Sequence, residues 1–139
     1  MAYAIAIALH VVIAILGVGQ VAGLTVVAAA ARRSPPVGPA SWASLAQLAR
    51  GASWSLLAML LTGIWLEVLA GGAHGRSIWF PIAVVLFFAV GALLGITQRS
   101  VRKAKTTGDA SVLDGIVARS AAACGLVAII AALMQLKPF

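Results

Sequence analysis

Residues 2–31 read AYAIAIALHVVIAILGVGQVAGLTVVAAAA and contain no formally charged side chain. A helix that spans a bilayer needs about 20 predominantly apolar residues, because each residue rises about 1.5 Å and the hydrocarbon core is about 30 Å thick. This stretch is longer than that, so its helix must tilt or protrude. It lacks the basic N-terminal region of a signal peptide, and its apolar segment is about twice as long as the apolar segment of a signal peptide. We therefore expect a retained transmembrane helix.

The composition of the whole chain agrees with this expectation. Of its 139 residues, 63% are hydrophobic and 9% are charged, and the mean hydropathy is +1.09. A soluble domain carries about 25% charged residues, and a soluble globule of this size cannot hide so much apolar surface. The composition indicates an integral membrane protein and excludes a soluble enzyme and a nucleic-acid module. A single cysteine, Cys124, excludes an intrachain disulfide scaffold.

Three further segments have the length and apolar character of membrane spans. The four predicted helices cover about residues 2–31, 52–70, 78–97 and 115–136. Charges or helix breakers bound each of them, for example Pro35-Pro36 after the first and Gly71-Gly72 after the second. Because the connections are short, we expect a single all-α transmembrane domain over residues 1–139, a four-helix bundle with up-down-up-down order.

The basic residues predict the orientation in the membrane. Eight of the ten lie in or beside the connections after the first and third helices, and two lie on the other side. The eight are Arg32, Arg33, Arg50, Arg99, Arg102, Lys103, Lys105 and Arg119, and the two are Arg76 and Lys137. Short loops rich in lysine and arginine stay on the cytoplasmic side. Both termini are therefore expected on the outer side.

Small residues spaced by four predict close helix packing. The first helix contains Gly19 and Gly23, and the third contains Gly91 and Gly95. Such pairs let transmembrane helices approach closely. They indicate a tight bundle, either within one chain or between copies in a homo-oligomer.

Polar side chains gather at the predicted outer side. Ionisable residues within a span are costly and are usually functional or paired. The topology places His10 and Glu67 in the same leaflet, with His74 in the adjoining loop. Met134 and Gln135 approach the same level from the fourth helix. Any chemistry is therefore expected in the outer leaflet.

The neighbours of His10 suggest what it does. At helical spacing, Ala6, Ala14, Gly17 and Val21 share its face. We name these small residues on the His10 face the shelf. Because their side chains are small, they leave space beside the histidine for a flat ligand or for another helix. Imidazole is a common axial ligand of haem, so one interpretation is a haem b site at His10 and Gly17, and the other is plain helix contact.

The other polar candidates also have two interpretations. His74 or Met134 is a candidate second axial ligand, although His74 lies in a glycine-rich loop. Glu67 either reaches headgroup water or, if buried, carries protons or binds a cation. Copper at His10 is a further candidate. The three methionines are too scattered for a thioether copper site.

Two stretches resemble known bacterial membrane families. The first is Leu9-His10-Val11-Val12 with a glycine-containing run and Ala31-Arg32-Arg33; the second is Leu61-Thr62-Gly63-Ile64-Trp65-Leu66 with the glycine-rich loop, Trp79 and Arg99. Over about residues 5–103 the chain is similar to copper-resistance D-type proteins, to a related four-helix family and to HemJ-type protoporphyrinogen oxidases. The resemblance implies a bacterial inner-membrane bundle with the first-helix histidine at its site, associated with haem in the HemJ type. The basic residue of a later helix in those oxidases has no counterpart before Arg99.

Three functional hypotheses follow, together with an open possibility of an enzyme for a lipid-soluble substrate. The first is a small redox or electron-transfer protein that binds b-type haem through His10, with the propionates near Arg76 and a second His10 supplied by a dimer. The second is a non-catalytic subunit or assembly partner of a larger membrane complex. The third is a copper or cation transport component that uses His10 and Glu67.

Overall fold

The structure is a computed structural model that describes residues 1–73 and 75–136, and most of these lie in four long helices. The elements are α1 (Ala2–Arg33), α2 (Pro39–Leu69), α3 (Trp79–Thr107), a 3₁₀ turn (Ala110–Val112) and α4 (Leu113–Leu136). Within these described residues, four helical segments are long and apolar enough to cross a membrane. The predicted all-α class is confirmed, and the helices fit a multi-pass membrane bundle.

Glycine and proline set several helix ends. Pro39 lies in the first turn of α2, where its missing N–H leaves no helical hydrogen bond unmade. Gly108 ends α3 with a φ of 70°, in the left-handed region, and its N–H donates to the carbonyl of Ala104. After α2, Gly71 and Gly72 also have positive φ values, so the chain turns there without the steric cost of a Cβ.

Helices α2 and α3 extend well beyond the predicted spans. α2 begins at Pro39 rather than near residue 52, and α3 ends at Thr107 rather than near residue 97. The prediction followed mean hydropathy, whereas these extensions are amphipathic and bury Leu45 and Val101 on one face. Burial of that face, rather than overall apolarity, keeps the extensions helical.

The four helices form a closed ring. α1 packs against α2 and α4, and α3 packs against the same two helices. α1 and α2 are antiparallel, since His10 meets Thr62 at one end of their seam and Gly23 meets Leu48 near the other. The end of the bundle that contains His10 and the α2–α3 connection is named the histidine end. The end with the α1–α2 and α3–α4 connections is named the basic end.

Buried side chains form two clusters at different depths. The cluster toward the basic end includes Leu24, Leu45, Val101, Leu113 and Ile116. The second cluster extends from the middle of the bundle toward the histidine end and includes Val21, Ala52, Ala83, Val90, Leu94 and Ile130. His10 belongs to neither cluster, although it lies on the helix face that carries Val21 and Leu24.

Large apolar side chains cover the outside of the bundle. Ile15, Val26 and Val85 are each 67% exposed, and Leu61 is 59% exposed. Such a surface would be unfavourable in water over so large an area. It matches the hydrocarbon of a bilayer, where lipid chains are as apolar as these side chains.

Replacing Leu45 tests the cluster at the basic end. Leu45 is fully buried, so Leu45→Ala should lower the free energy of unfolding by about 2–5 kcal/mol through lost contacts and a residual cavity. Leu61→Ala is the matched control on the same helix, because Leu61 is exposed on the outside. Unfolding of the detergent-solubilised variants measures both changes. Equal losses of unfolding free energy in the two variants would contradict the assignment of Leu45 to a buried face and Leu61 to an exposed face of α2.

Candidate functional site

His10 lies in the first third of α1, on the face that packs into the bundle. Ala6, Gly17 and Val21 share this face and are buried, whereas His10 is only partly buried. A polar ring thus occupies an inward-facing position that remains accessible from outside the protein.

A hydrogen bond to α2 fixes the His10 ring. Its Nδ1 lies 2.7 Å from Oγ1 of Thr62. The Thr62 hydroxyl also lies 2.9 Å from the carbonyl oxygen of Ala58 and 3.2 Å from that of Met59. A hydroxyl has one hydrogen. If Thr62 donates it to one of these carbonyls, then Nδ1 of His10 carries the ring proton and donates to Oγ1 of Thr62.

This assignment leaves Nε2 of His10 with a lone pair. In a neutral imidazole one nitrogen carries the proton and the other accepts. Among residues 1–73 and 75–136, Nε2 of His10 has no hydrogen-bond partner. The ring also lies against Gly63, where a Cβ would be 3.7 Å from Cε1 of His10. The site thus presents one oriented ring nitrogen within a candidate membrane span.

Helix α2 covers the small residues below His10. A Cβ at Gly17 would lie 3.1 Å from Cβ of Ser55, and one at Gly51 would lie 2.8 Å from the Gln20 side chain. The Ser55 hydroxyl donates to Oε1 of Gln20 at 2.9 Å. Of the two predicted uses of the shelf, helix contact is the one observed at Gly17. A flat ligand therefore has no room between α1 and α2 at this level.

Glu67 is hydrogen-bonded to the backbone of the α2–α3 connection at the histidine end. It is partly buried near the end of α2, and its Oε1 accepts the backbone N–H of Gly75 at 2.7 Å. Its backbone carbonyl accepts the N–H of Gly72. This carboxylate thus has a structural role that the sequence did not reveal.

Of the remaining predicted site residues that the structure describes, none is joined to His10 by a hydrogen bond. Met134 and Gln135 are exposed near the end of α4, and Arg76 is exposed in the α2–α3 connection. His74 lies outside the described residues. Within the part of the chain that the structure describes, no three His, Cys, Asp or Glu residues form a group that could hold a metal ion.

The polar partners across the α1–α2 seam were not predicted from the sequence. Thr62 holds His10, and Gln20 bonds Ser55. Both pairs join polar residues at matching depth in antiparallel neighbours. These pairs could have been predicted by looking for polar residues at the same depth on adjacent spans, because polar groups in lipid form hydrogen bonds with other helices.

Comparisons with known proteins leave the family open. No family model matches the chain, and neither a curated protein nor a solved structure matches it. The resemblance to the copper-resistance D-type and HemJ-type families therefore stays a prediction. The candidate site rests on its own geometry.

Replacing Gly17 tests the close approach of α1 and α2. Gly17→Val should destabilise the bundle by about 1–3 kcal/mol, since even a Cβ there would lie 3.1 Å from Cβ of Ser55. Gly19→Val is the matched control, because a Cβ at Gly19 meets nothing within 4 Å. Thermal unfolding in detergent measures both variants. A larger loss at Gly19 than at Gly17 would contradict the observed seam.

Proposed function

We propose that this protein is a small haem-binding redox protein of the membrane, with His10 as an axial ligand through Nε2. The observation that carries the proposal is the 2.7 Å hydrogen bond between Nδ1 of His10 and Oγ1 of Thr62, while Nε2 has no hydrogen-bond partner among the described residues. We propose that Nδ1 carries the ring proton in this bond. Histidines that bind metals commonly donate their other N–H to a fixed acceptor, which orients the ring and sets its tautomer. Imidazole is also a common haem ligand in proteins.

The packing restricts where a haem could lie. Because α2 covers Gly17, the macrocycle must approach Nε2 from the exposed side of the ring rather than from the α1–α2 seam. Arg76, exposed in the connection at the same end, is the proposed cation for the propionates. When bound, haem would supply one-electron transfer, and the protein would supply ligation and orientation.

The second axial ligand is proposed to come from another copy of the chain. His10 is the one histidine in the described ranges, since His74 lies outside them. A symmetric dimer would place two His10 residues on the two faces of one haem. Met134 is the alternative ligand within the same chain, as it is exposed at the histidine end.

The charges support the proposed insertion in the membrane. The basic end carries Arg32, Arg33, Arg102, Lys103 and Lys105, all of them exposed. By the positive-inside tendency, we place this end in the cytoplasm, with up-down-up-down helices and both termini on the outer side. The proposed location is a bacterial inner membrane, and His10 then lies in its outer leaflet.

A non-catalytic subunit role is the second candidate. Gly19 lies on the outside of α1, where a Cβ would meet nothing within 4 Å, whereas a Cβ at Gly23 would contact Leu48. The exposed small residue leaves room for the helix of a partner subunit. A copper or cation transport role has less support, because Glu67 is engaged with Gly75 and the described residues hold no metal-ligand cluster.

Absorption spectra of the purified protein test the haem proposal. After haem supplementation, the wild type should show a Soret band and sharp reduced bands with dithionite, and His10→Ala should abolish them. Thr62→Val should weaken haem binding by about 10- to 100-fold, because the ring loses its fixed acceptor. Thr62→Ser, which keeps the hydroxyl, is the matched control.

The outcome separates the two candidate functions. A flat spectrum for the supplemented, folded wild type would contradict haem binding and leave the subunit role. Wild-type absorption that persists in His10→Ala would contradict His10 as the ligand. His74→Ala then reports whether the residue outside the described ranges contributes an axial nitrogen.

A further inference from the structure

Two open cavities follow one another along the surface of the seam between α2 and α3. The first has a volume of about 330 Å³ and is lined mainly by apolar side chains, with Gly91 and Gly95 on the α3 side. Leu56, Leu57 and Leu60 line it from α2. A Cβ at Gly95 would meet nothing within 4 Å, so the floor of this cavity is open.

The second cavity lies closer to the basic end and has a volume of about 490 Å³. Arg50 and Gln47 line it from α2, and Lys105 lines it from α3. Trp54 also lines it and is 66% exposed. An exposed tryptophan beside basic side chains is typical of the membrane–water interface.

The two cavities lie on the same helix faces. On α2, Arg50, Trp54 and Leu57 follow one another at spacings of four and three residues, which places them on one stripe. On α3, Gln98 and Lys105 are seven residues apart and so share a face. The second cavity (the basic cleft) and the first cavity (the apolar channel) therefore lie on the same side of the α2–α3 seam and together are named the groove. Ser53 and Gln98, which bond each other across the seam, line the end of the apolar channel nearer the basic cleft.

The cations of the cleft lack carboxylate partners. Within the described part of the chain, no carboxylate lines the second cavity. Among the described residues, the one salt bridge joins Arg32 to Asp114 at 2.7 Å, so it uses neither Arg50 nor Lys105. Two cations facing one cleft repel each other unless an anion lies between them.

We propose that this groove binds one anionic phospholipid in the leaflet at the basic end. The phosphate lies between Arg50 and Lys105, and an acyl chain follows the apolar channel over Gly95, where a Cβ would meet nothing within 4 Å. The paired cations favour an anionic headgroup over a neutral one. The adjoining apolar channel favours a lipid over free phosphate. This inference is independent of the proposed function, because it uses neither His10 nor haem.

Native mass spectrometry of the delipidated protein in detergent tests the proposal. Phosphatidylglycerol should bind with one-to-one stoichiometry and more tightly than phosphatidylcholine of the same chain length. Inorganic phosphate and glycerol phosphate should not compete at equal concentration. Arg50→Gln/Lys105→Gln should weaken phosphatidylglycerol binding by roughly 30-fold, given about 1 kcal/mol for each basic residue near anionic lipid.

Two further variants separate this site from general charge attraction. Arg33→Gln/Lys103→Gln removes the same charge from exposed positions that do not line the cavities, so it should retain binding. Gly95→Leu fills the open floor of the channel and should reduce binding, while circular dichroism confirms that the bundle is folded.

Several results would overturn the proposal. These are equal affinity for the two lipids, equal loss in the control pair, competition by inorganic phosphate, and unchanged binding in Gly95→Leu. A seam that proves to be covered by a second copy would also overturn it, and Gly95→Leu would then alter the oligomeric state.

Discussion

A polar group inside a bilayer must find its hydrogen-bond partner within the protein, because hydrocarbon offers none. At the α1–α2 seam this constraint is met twice, by His10 with Thr62 and by Gln20 with Ser55. The two bonds lie at different depths, so together they fix the register of the two helices. The close approach at Gly17 depends on that register, since a shift along the seam would place a larger side chain opposite Ser55.

The same constraint organises the other seams. Ser53 donates to Gln98 across the α2–α3 seam at 3.1 Å. Arg119 on α4 donates to Thr97 at 3.4 Å and to Ser100 at 3.1 Å, so its charge is solvated by hydroxyl groups of α3. These bonds account for polar residues that hydropathy alone would place in lipid at a cost.

Two nitrogen atoms stand apart from this pattern. Nε1 of Trp42 is buried and has no hydrogen-bond partner within residues 1–73 and 75–136, so a ligand cannot reach it. Nε2 of His10 also has no partner among the described residues, but its ring is partly exposed. An indole N–H has no lone pair to offer a metal. The histidine nitrogen has one when the ring proton is on Nδ1, and its accessibility then makes His10 the candidate ligand.

The sequence predicted the parts of this structure that depend on the length of the apolar segments. The four spans follow from mean hydropathy along the sequence. The amphipathic extensions of α2 and α3 depend instead on the burial of one helix face, which mean hydropathy does not detect. The depth of each residue in the membrane also predicted that His10, Glu67 and Met134 lie at one level. Depth does not predict how each helix is rotated about its axis. That rotation points His10 toward Thr62 and leaves Met134 exposed.

The tautomer of His10 tests the account most directly. Solid-state NMR of protein with ¹⁵N-labelled histidine, reconstituted in bilayers without haem at mildly alkaline pH, distinguishes protonated from unprotonated ring nitrogens; His10→Ala assigns the signals. The hydrogen bonds at Thr62 predict a protonated Nδ1 and an unprotonated Nε2. A protonated Nε2 would contradict the account, because the nitrogen proposed as the ligand would then have no lone pair to offer.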